Sequence, residues 1–293
     1  MAATPGNALN VSSAGIIVFD GTATFSADTT TNHNVLVGAA SNGITNVAPS
    51  TSGFVLTSNG ASADPSFQAN PGSFSPNATI DLSDDFIAAL NATGSLQSQL
   101  GWLTSSTNPI GYASATQLST HPGIVASPSI TLGGSYLLSA YASEILVFGG
   151  GAITLNWVIN VATLSTGTNT YTLYVGFGDT GGGEPSNGAY FLYSSGTNSG
   201  NWVLKTAAGG VRTTTNTATA VGTGWINLGV TVNAAASSVG FTINGVSAGT
   251  IATNIPTLAT NFYVDIARSA GTIAAGSLEV DLVYYTQTLT AAR

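Results

Sequence analysis

Residues 152–161 read AITLNWVINV. Ile153, Leu155, Trp157, Ile159 and Val161 fall on one side of an extended chain, and Thr154, Asn156 and Asn160 fall on the other. Successive side chains of a strand point to opposite faces, so this alternation predicts a strand with one buried face. The same period recurs on both sides of it. Tyr171, Leu173, Val175 and Phe177 alternate with Thr172, Tyr174 and Gly176. Ile226, Leu228, Val230 and Val232 alternate with Asn227, Gly229 and Thr231. Leu278, Val280, Leu282 and Tyr284 alternate with Glu279, Asp281 and Val283. Phe241–Ala248 (FTINGVSA) predicts a hairpin. Its two-residue Asn-Gly loop sets Ile243 opposite Val246 and Phe241 opposite Ala248. About ten such strands with no helical period between them predict an all-β, two-sheet, jelly-roll-like sandwich.

Composition narrows what such a chain does. The 293 residues carry 4 Lys and Arg against 12 Asp and Glu, a formal net charge of -8. Too few cations are present to neutralise a run of phosphates or to hold an anionic bilayer, so nucleic-acid binding and a polybasic anchor are excluded. Cysteine is absent, which removes disulfides, thiolate metal sites and Cys nucleophiles. The two histidines, His33 and His121, are too few for most His-built sites. At 43% hydrophobic, the chain is too apolar for disorder. The most apolar stretch, Ile145–Leu164, is broken by Gly149-Gly150-Gly151, Asn156 and Asn160, and reads as strands rather than as the ~20 apolar residues of a membrane span. The N-terminus lacks the basic and apolar regions of a secretory signal, so export by lysis or another non-Sec route is expected.

Three zones follow. Residues 1–70 hold short apolar bursts at 15–19, 35–37 and 54–56, two of which lead to Ser-Asn-Gly, at 41–43 and 58–60. Asn-Gly marks a tight bend. One copy of this zone buries too little apolar surface to offset ~1–2 kcal/mol of backbone entropy per residue. It is expected to order against other chains. Residues 71–100 form a junction in which Ser83-Asp84-Asp85-Phe86-Ile87-Ala88-Ala89-Leu90 predicts one short helix, capped by Ser83. Residues 101–293 form the sandwich.

The runs GWLTSSTNPIGYASATQLSTHPGIV (101–125), LNWVINVATLSTGTNTYTLYVGFGD (155–179), NGAYFLYSSGTNSGNWVLKTAAGGVRTTTNTATAV (187–221) and INLGVTVNAAASSVGFTINGVSAGTIATNIPT (226–257) carry a resemblance. With Asp84-Asp85-Phe86 ahead of them, residues 81–285 resemble the lectin-like (concanavalin/laminin-G-like) β-sandwich of bacteriophage tail-fibre and receptor-binding virion proteins. Residues 34–70 resemble a segment found near trimeric fibre shafts. The resemblance implies a homotrimer that attaches to other virion or tail proteins and contacts a host-surface glycan, in the virion and outside the cell. It implies no enzyme, no cofactor and no membrane insertion. A capsid decoration protein without a receptor, a glycan depolymerase and a bacterial adhesin are the alternative readings.

Candidate site residues are few. Asp179 and Glu184 share the Gly-rich segment 178–185 and are the one close acidic pair in a loop. They suit hydroxyl recognition, a hard-cation site or a glycosidase pair; a solvated turn is the plain alternative. Aromatic faces stack on sugar rings and polar groups fix their hydroxyls, so Tyr190, Tyr193, Trp202 and Arg212 join this pair as a glycan-binding group. Against that, Tyr190 shares a face with Leu192, and Tyr193 with Phe191, which points to packing for half of them. No metal ligand set is expected. No Gly-x-Ser-x-Gly elbow is present, and His121, before Pro122-Gly123, reads as a turn residue. His33 reads as solvated or as an interchain contact. The Gly-rich runs 149–151 and 181–183 lack a following helix or Lys and read as turns rather than phosphate loops. Along the sequence the charges show no cluster.

Overall fold

A computed structural model of the chain describes residues 15–19, 25–29, 33–38, 44–69, 78–86, 100, 102–105, 113–114, 118–131, 135–140, 144–179 and 182–291. The chain divides into two compact units, Met1–Phe74 and Ser75–Arg293.

The first unit holds β1 (Gly15–Phe19), β2 (Phe25–Thr29), β3 (Val35–Gly38), β4 (Ile44–Val47), β5 (Phe54–Thr57) and β6 (Ser66–Ala69). Among the described residues they pair as β1-β2, β3-β4 and β5-β6, three two-stranded sheets. In the last of these, Ser58-Asn59-Gly60 opens the connection. Asn59 donates to the Asp64 carbonyl at 2.6 Å, and its Oδ1 accepts from Gln68 Nε2 at 2.7 Å. Phe54, Val55 and Leu56 are exposed. His33 is exposed too, at a φ of 69°. The bend expected at 41–43 lies outside the described residues.

The second unit is the sandwich. Its strands are β7 (Thr79–Asp84), β8 (Trp102–Ser105), β9 (Ala113–Ser114), β10 (Val125–Ala126), β11 (Ser135–Ala140), β12 (Gly151–Val161), β13 (Thr170–Gly178) and β14 (Gly188–Tyr193). They continue as β15 (Asn201–Ala208), β16 (Val211–Ala220), β17 (Gly224–Val232), β18 (Val239–Ile243), β19 (Val246–Ile251), β20 (Asn261–Ala270) and β21 (Leu278–Leu289). One sheet runs β19-β18-β17-β12-β21-β10-β9, with β7 also on β21; the other runs β16-β15-β14-β13-β20-β11-β8. The pairings are antiparallel, so the expected two-sheet, jelly-roll-like sandwich is the fold.

The alternation sets the core. Ile153, Leu155, Trp157, Ile159 and Val161 are all buried and face Leu173, Val175, Phe177, Phe191 and Trp202 of the other sheet in one cluster. Rings interlock across it, with Trp102 5.7 Å from Trp157 and Phe191 5.3 Å from Phe241. Outermost strands expose unpaired backbone, and bulges blunt such edges. Both long edges here are irregular: the register shifts between Asn201 and Val203 against β16, and between Phe241 and Thr242 against β19.

Three expectations are corrected. On β21 the expected alternation holds for Leu278 and Val280, but the register shift opposite Val158 and Ile159 turns Val283 and Tyr285 into the core and leaves Tyr284 exposed. Ser83 and Asp84 do not start a helix; they end β7, which pairs Ser83 with Tyr284 and Asp84 with Val283. The strand gains a partner on β21, which outweighs a local capping signal. Ile87–Leu90 lie outside the described residues. In the Asn-Gly hairpin, Ile243 does pair with Val246, but Phe241 pairs with Gly249, not Ala248. The bulge inserts one residue and shifts the register beyond it. Among the described residues no helix is long and apolar enough to cross a membrane, and Ile145–Leu164 contains β12.

The sandwich unit carries its own core, so a chain beginning at Ser75 is expected to keep the β-sheet circular dichroism spectrum while losing the self-association of the full chain. Loss of that spectrum contradicts this division.

Candidate functional site

The outer face of the seven-stranded sheet collects the residues singled out above. Tyr174, Tyr190, Leu192, Val203, Ala207 and Tyr263 form a second buried cluster there. The loop between β13 and β14 folds over it. Tyr263 Oη donates to the Gly183 carbonyl at 2.5 Å, and Gly183 N–H donates to Asp265 Oδ2 at 2.6 Å. Glu184 Oε1 takes Lys205 Nζ at 2.5 Å, Tyr190 Oη at 3.1 Å and Arg212 Nε at 3.3 Å. Arg212 also donates to the Glu184 and Pro185 carbonyls at 3.2 and 2.9 Å. Asp179 accepts from Ser186 N–H at 2.9 Å and from Asn187 Nδ2 at 2.7 Å.

Glu184, Tyr190 and Arg212 therefore meet, with Asp179 in the same loop holding Ser186 and Asn187, and these contacts run within the protein. They clamp a loop onto a sheet. Tyr193 and Trp202 are not part of this group: they face the inter-sheet core, 2% and 0% exposed. Tyr190 is 0% exposed. None of the three aromatic rings offers a free face to a sugar, which corrects that part of the expectation. The charges do cluster after all. Sheet order, not sequence spacing, brings Glu184, Lys205, Arg212 and Asp265 to one face.

The clamp has a pH signature. Burial, with the Glu184 and Asp265 carboxylates adding to it, pushes the Tyr174 phenol up to about 12. Burial alone pushes Tyr285 up to about 12, and it raises Tyr171 and Tyr190 further. A phenol whose folded pKa exceeds its unfolded value of 10.0 holds its proton more tightly in the folded chain. Its contribution is complete below pH 10 and is lost as pH rises towards 12. Urea midpoints are expected to fall across that window while phenolate absorbance appears with unfolding. Full phenolate absorbance in the folded protein near pH 10 contradicts this.

The outer face of the eight-stranded sheet is of a different kind. At one end, His121 bridges by backbone to Leu118 and lays its ring on Trp225, with centroids 3.9 Å apart and planes 13° apart. His121 Nδ1 is 2.8 Å from Asp281 Oδ2. The turn reading of His121 holds for its backbone, while its side chain ties the turn to β21. Nearby, Asn160 Nδ2 donates to Glu279 Oε2 at 2.8 Å. Trp225 is the half-exposed member of the four tryptophans, the other three being in the core. Its signal was present in the sequence: one position before Ile226, it takes the same face as Asn227.

At the other end lies an open trough of about 400 Å³, within the ~300–1,000 Å³ of small-molecule sites. Ala152, Thr154, Thr231, Asn233, Ser238 and Thr250 line it, none of them charged. Gly240 forms part of its floor, where an added Cβ would stand 2.7 Å from Thr231 Oγ1. Asn233 holds the rim turn by accepting from Ser237 and Ser238 N–H at 2.8 and 3.0 Å. The Thr154 and Thr250 hydroxyls make no hydrogen bond to other described residues. Hydroxyls around a shallow uncharged trough suit a neutral, hydroxyl-rich ligand. Among the described residues no group of three His, Asp or Glu side chains stands ready for a metal ion.

Comparison with known proteins places this architecture. A search of curated proteins finds no match in sequence. Among solved structures, a protein of unknown function, SO2946 from Shewanella oneidensis MR-1, superposes with a TM-score of 0.55 at 14% identity, covering 77% of this chain and 99% of that one. The Emp47p carbohydrate recognition domain gives 0.49 at 10% identity, over 74% of this chain and 100% of that one. The binding domain of botulinum neurotoxin serotype D gives 0.43 at 11% identity, over 73% of this chain and 49% of that one. The model of the SO2946-like family, C-terminal domain, matches residues 120–281, more than half of the 293. The chain therefore belongs to the SO2946-like family through its C-terminal domain.

Proposed function

We propose that this chain is a non-catalytic, adhesin-type fibre protein of a bacteriophage tail, whose sandwich contacts a neutral host-surface glycan and whose N-terminal region trimerises and attaches to other virion proteins. The uncharged, hydroxyl-lined trough on the eight-stranded sheet carries the glycan reading. A sugar exchanges hydrogen bonds with such side chains without the desolvation cost of a buried charge. Binding is favoured over cleavage because Asp179 spends both oxygens on Ser186 N–H and Asn187, and Glu184 Oε1 is taken by Tyr190 and Lys205. A glycosidase instead needs two carboxyl groups flanking the scissile bond. The trimer reading is supported by the three separate hairpins of the first unit, since a lone two-stranded hairpin is marginal in water. Exposed Phe54, Val55 and Leu56 offer the apolar surface that neighbouring copies would cover.

Thr231→Tyr fills the trough from an outward position of β17. It is expected to weaken binding on a neutral-glycan panel by about tenfold or more while leaving thermal stability within ~0.5 kcal/mol, as surface changes do. Unchanged glycan binding in this variant contradicts the assignment, as does a Thr231→Tyr protein whose altered behaviour is a change of oligomeric state alone.

A further inference from the structure

The polar face that carries the trough continues past it. On the eight-stranded sheet Thr154 of β12 pairs with Thr231 of β17, and Thr231 pairs with Gly240 of β18. That row, with Ala152 and Asn233 before it, lines the trough. Two residues along the same strands, Asn156 pairs with Gly229, and Gly229 pairs with Thr242. A strand rises about 3.4 Å per residue and repeats its side every second residue, so this row lies about 7 Å beyond the trough row, on the same side of the sheet.

Gly229 sets the row apart. A Cβ built there would have Thr242 Oγ1 and Asn156 Oδ1 both within 3.0 Å of it. Two polar groups, from the strands on either side, therefore lean over one stretch of bare backbone. Neither side chain hydrogen-bonds to another described residue. Both residues are half-buried, and neither oxygen is sealed from solvent. An amide oxygen and a hydroxyl that converge, open and unspent, match one ligand hydroxyl, which donates to Asn156 and accepts from Thr242. The residues named in the two rows carry no charge, so an ionic ligand group finds no counter-ion among them. In the row after that, Val158 of β12 pairs with Leu282 of β21, and the polar run ends on that side.

We propose that Asn156 and Thr242 over Gly229 form a second sugar subsite contiguous with the trough, so that the ligand is a linear neutral oligosaccharide lying along β17 rather than a single terminal sugar. The inference rests on the glycan reading above and adds the ligand's chain length and direction to it. A disaccharide occupies the two rows of the trough, and the next sugar reaches Gly229.

The test is calorimetric titration of the full chain with cellobiose and cellohexaose, and with maltose and maltohexaose. In at least one of the two linkages the hexaose is expected to bind about fiftyfold tighter than its disaccharide, roughly fivefold from the extra registers of a longer chain and about tenfold from the two hydrogen bonds. The double variant Asn156→Ala/Thr242→Val changes two outward side chains. It is expected to remove the tenfold and keep the disaccharide affinity, with an unchanged circular dichroism spectrum. Thr242→Ser retains the hydroxyl and is expected to retain the preference for the hexaose. A preference of fivefold or less, or one that survives the double variant, overturns the second subsite and leaves the glycan reading standing. Silence of all four sugars beside a positive neutral-glycan panel does the same. A blank panel with all four silent overturns both.

Discussion

Replacing Asp84 by alanine is expected to cost about 3–5 kcal/mol of folding stability, because it strips a buried acceptor from several donors at once. Asp84 is 1% exposed. Its Oδ1 accepts from Phe86 N–H at 2.9 Å, and its Oδ2 accepts from Leu100 N–H at 3.0 Å and Trp102 Nε1 at 2.8 Å. Trp102 is buried against Trp157, Phe262 and Phe86, so its indole N–H has no water to turn to. Phe86 sits at a φ of 53°, a strained setting for a non-glycine residue that the Asp84 bond holds. In a unit of this size the loss corresponds to a fall in Tm of roughly 6–20 °C. Asp84→Asn keeps one acceptor oxygen and is expected to fall between wild type and alanine. A Tm for Asp84→Ala within about 2 °C of wild type contradicts the role given to this carboxylate.

The second large effect is expected at Gly176, in the middle of β13. Its φ is +150°, and an added Cβ would stand 2.4 Å from the Ala189 carbonyl oxygen and 2.8 Å from Tyr190 Cα. Both are backbone atoms of β14, paired with β13 through Gly176↔Tyr190. They cannot retreat without opening the ladder beneath the Glu184 clamp. Gly176→Ala is therefore expected to cost about 2–5 kcal/mol, the sum of overpacking and a disfavoured φ. Gly183→Ala in the adjoining loop meets no atom within 4 Å and serves as the control for conformational strain alone, at a φ of +89°. Equal Tm values for Gly176→Ala and Gly183→Ala would mean that crowding by β14 contributes nothing.

The period-2 pattern was enough to place β12, β13 and β17, because a sheet with one buried face writes itself into alternate residues; on β21 it held only for Leu278 and Val280, since the register shift opposite Val158 and Ile159 turns Val283 and Tyr285 inward and leaves Tyr284 exposed. It was enough to assign Tyr193 to the face of Phe191, which the core confirms. It failed where the decisive partner is distant in sequence. Asp84 sits in a string that suits a helix N-cap, and only the pairing of β7 with β21 and the arrival of Trp102 make it a buried acceptor. The bulge opposite Phe241 leaves no trace in alternation. Trp202 was a candidate as an aromatic ring able to stack on a sugar; its position on β15 turns it into the core instead. Glu184, Lys205 and Arg212 are far apart in the chain and meet because β14, β15 and β16 are neighbours. Trp225, missed as a candidate, was legible one residue before the recognised strand.

The proposed contact between the sandwich and a neutral glycan is through the trough between β12, β17, β18 and β19. Amide chemical-shift mapping of the sandwich unit during titration with a neutral oligosaccharide selected from the panel tests it most directly. Shifts are expected to concentrate at Thr154, Thr231, Asn233, Ser238 and Thr250. Shifts confined to the 182–188 segment and Lys205, or none at saturating sugar, would contradict it.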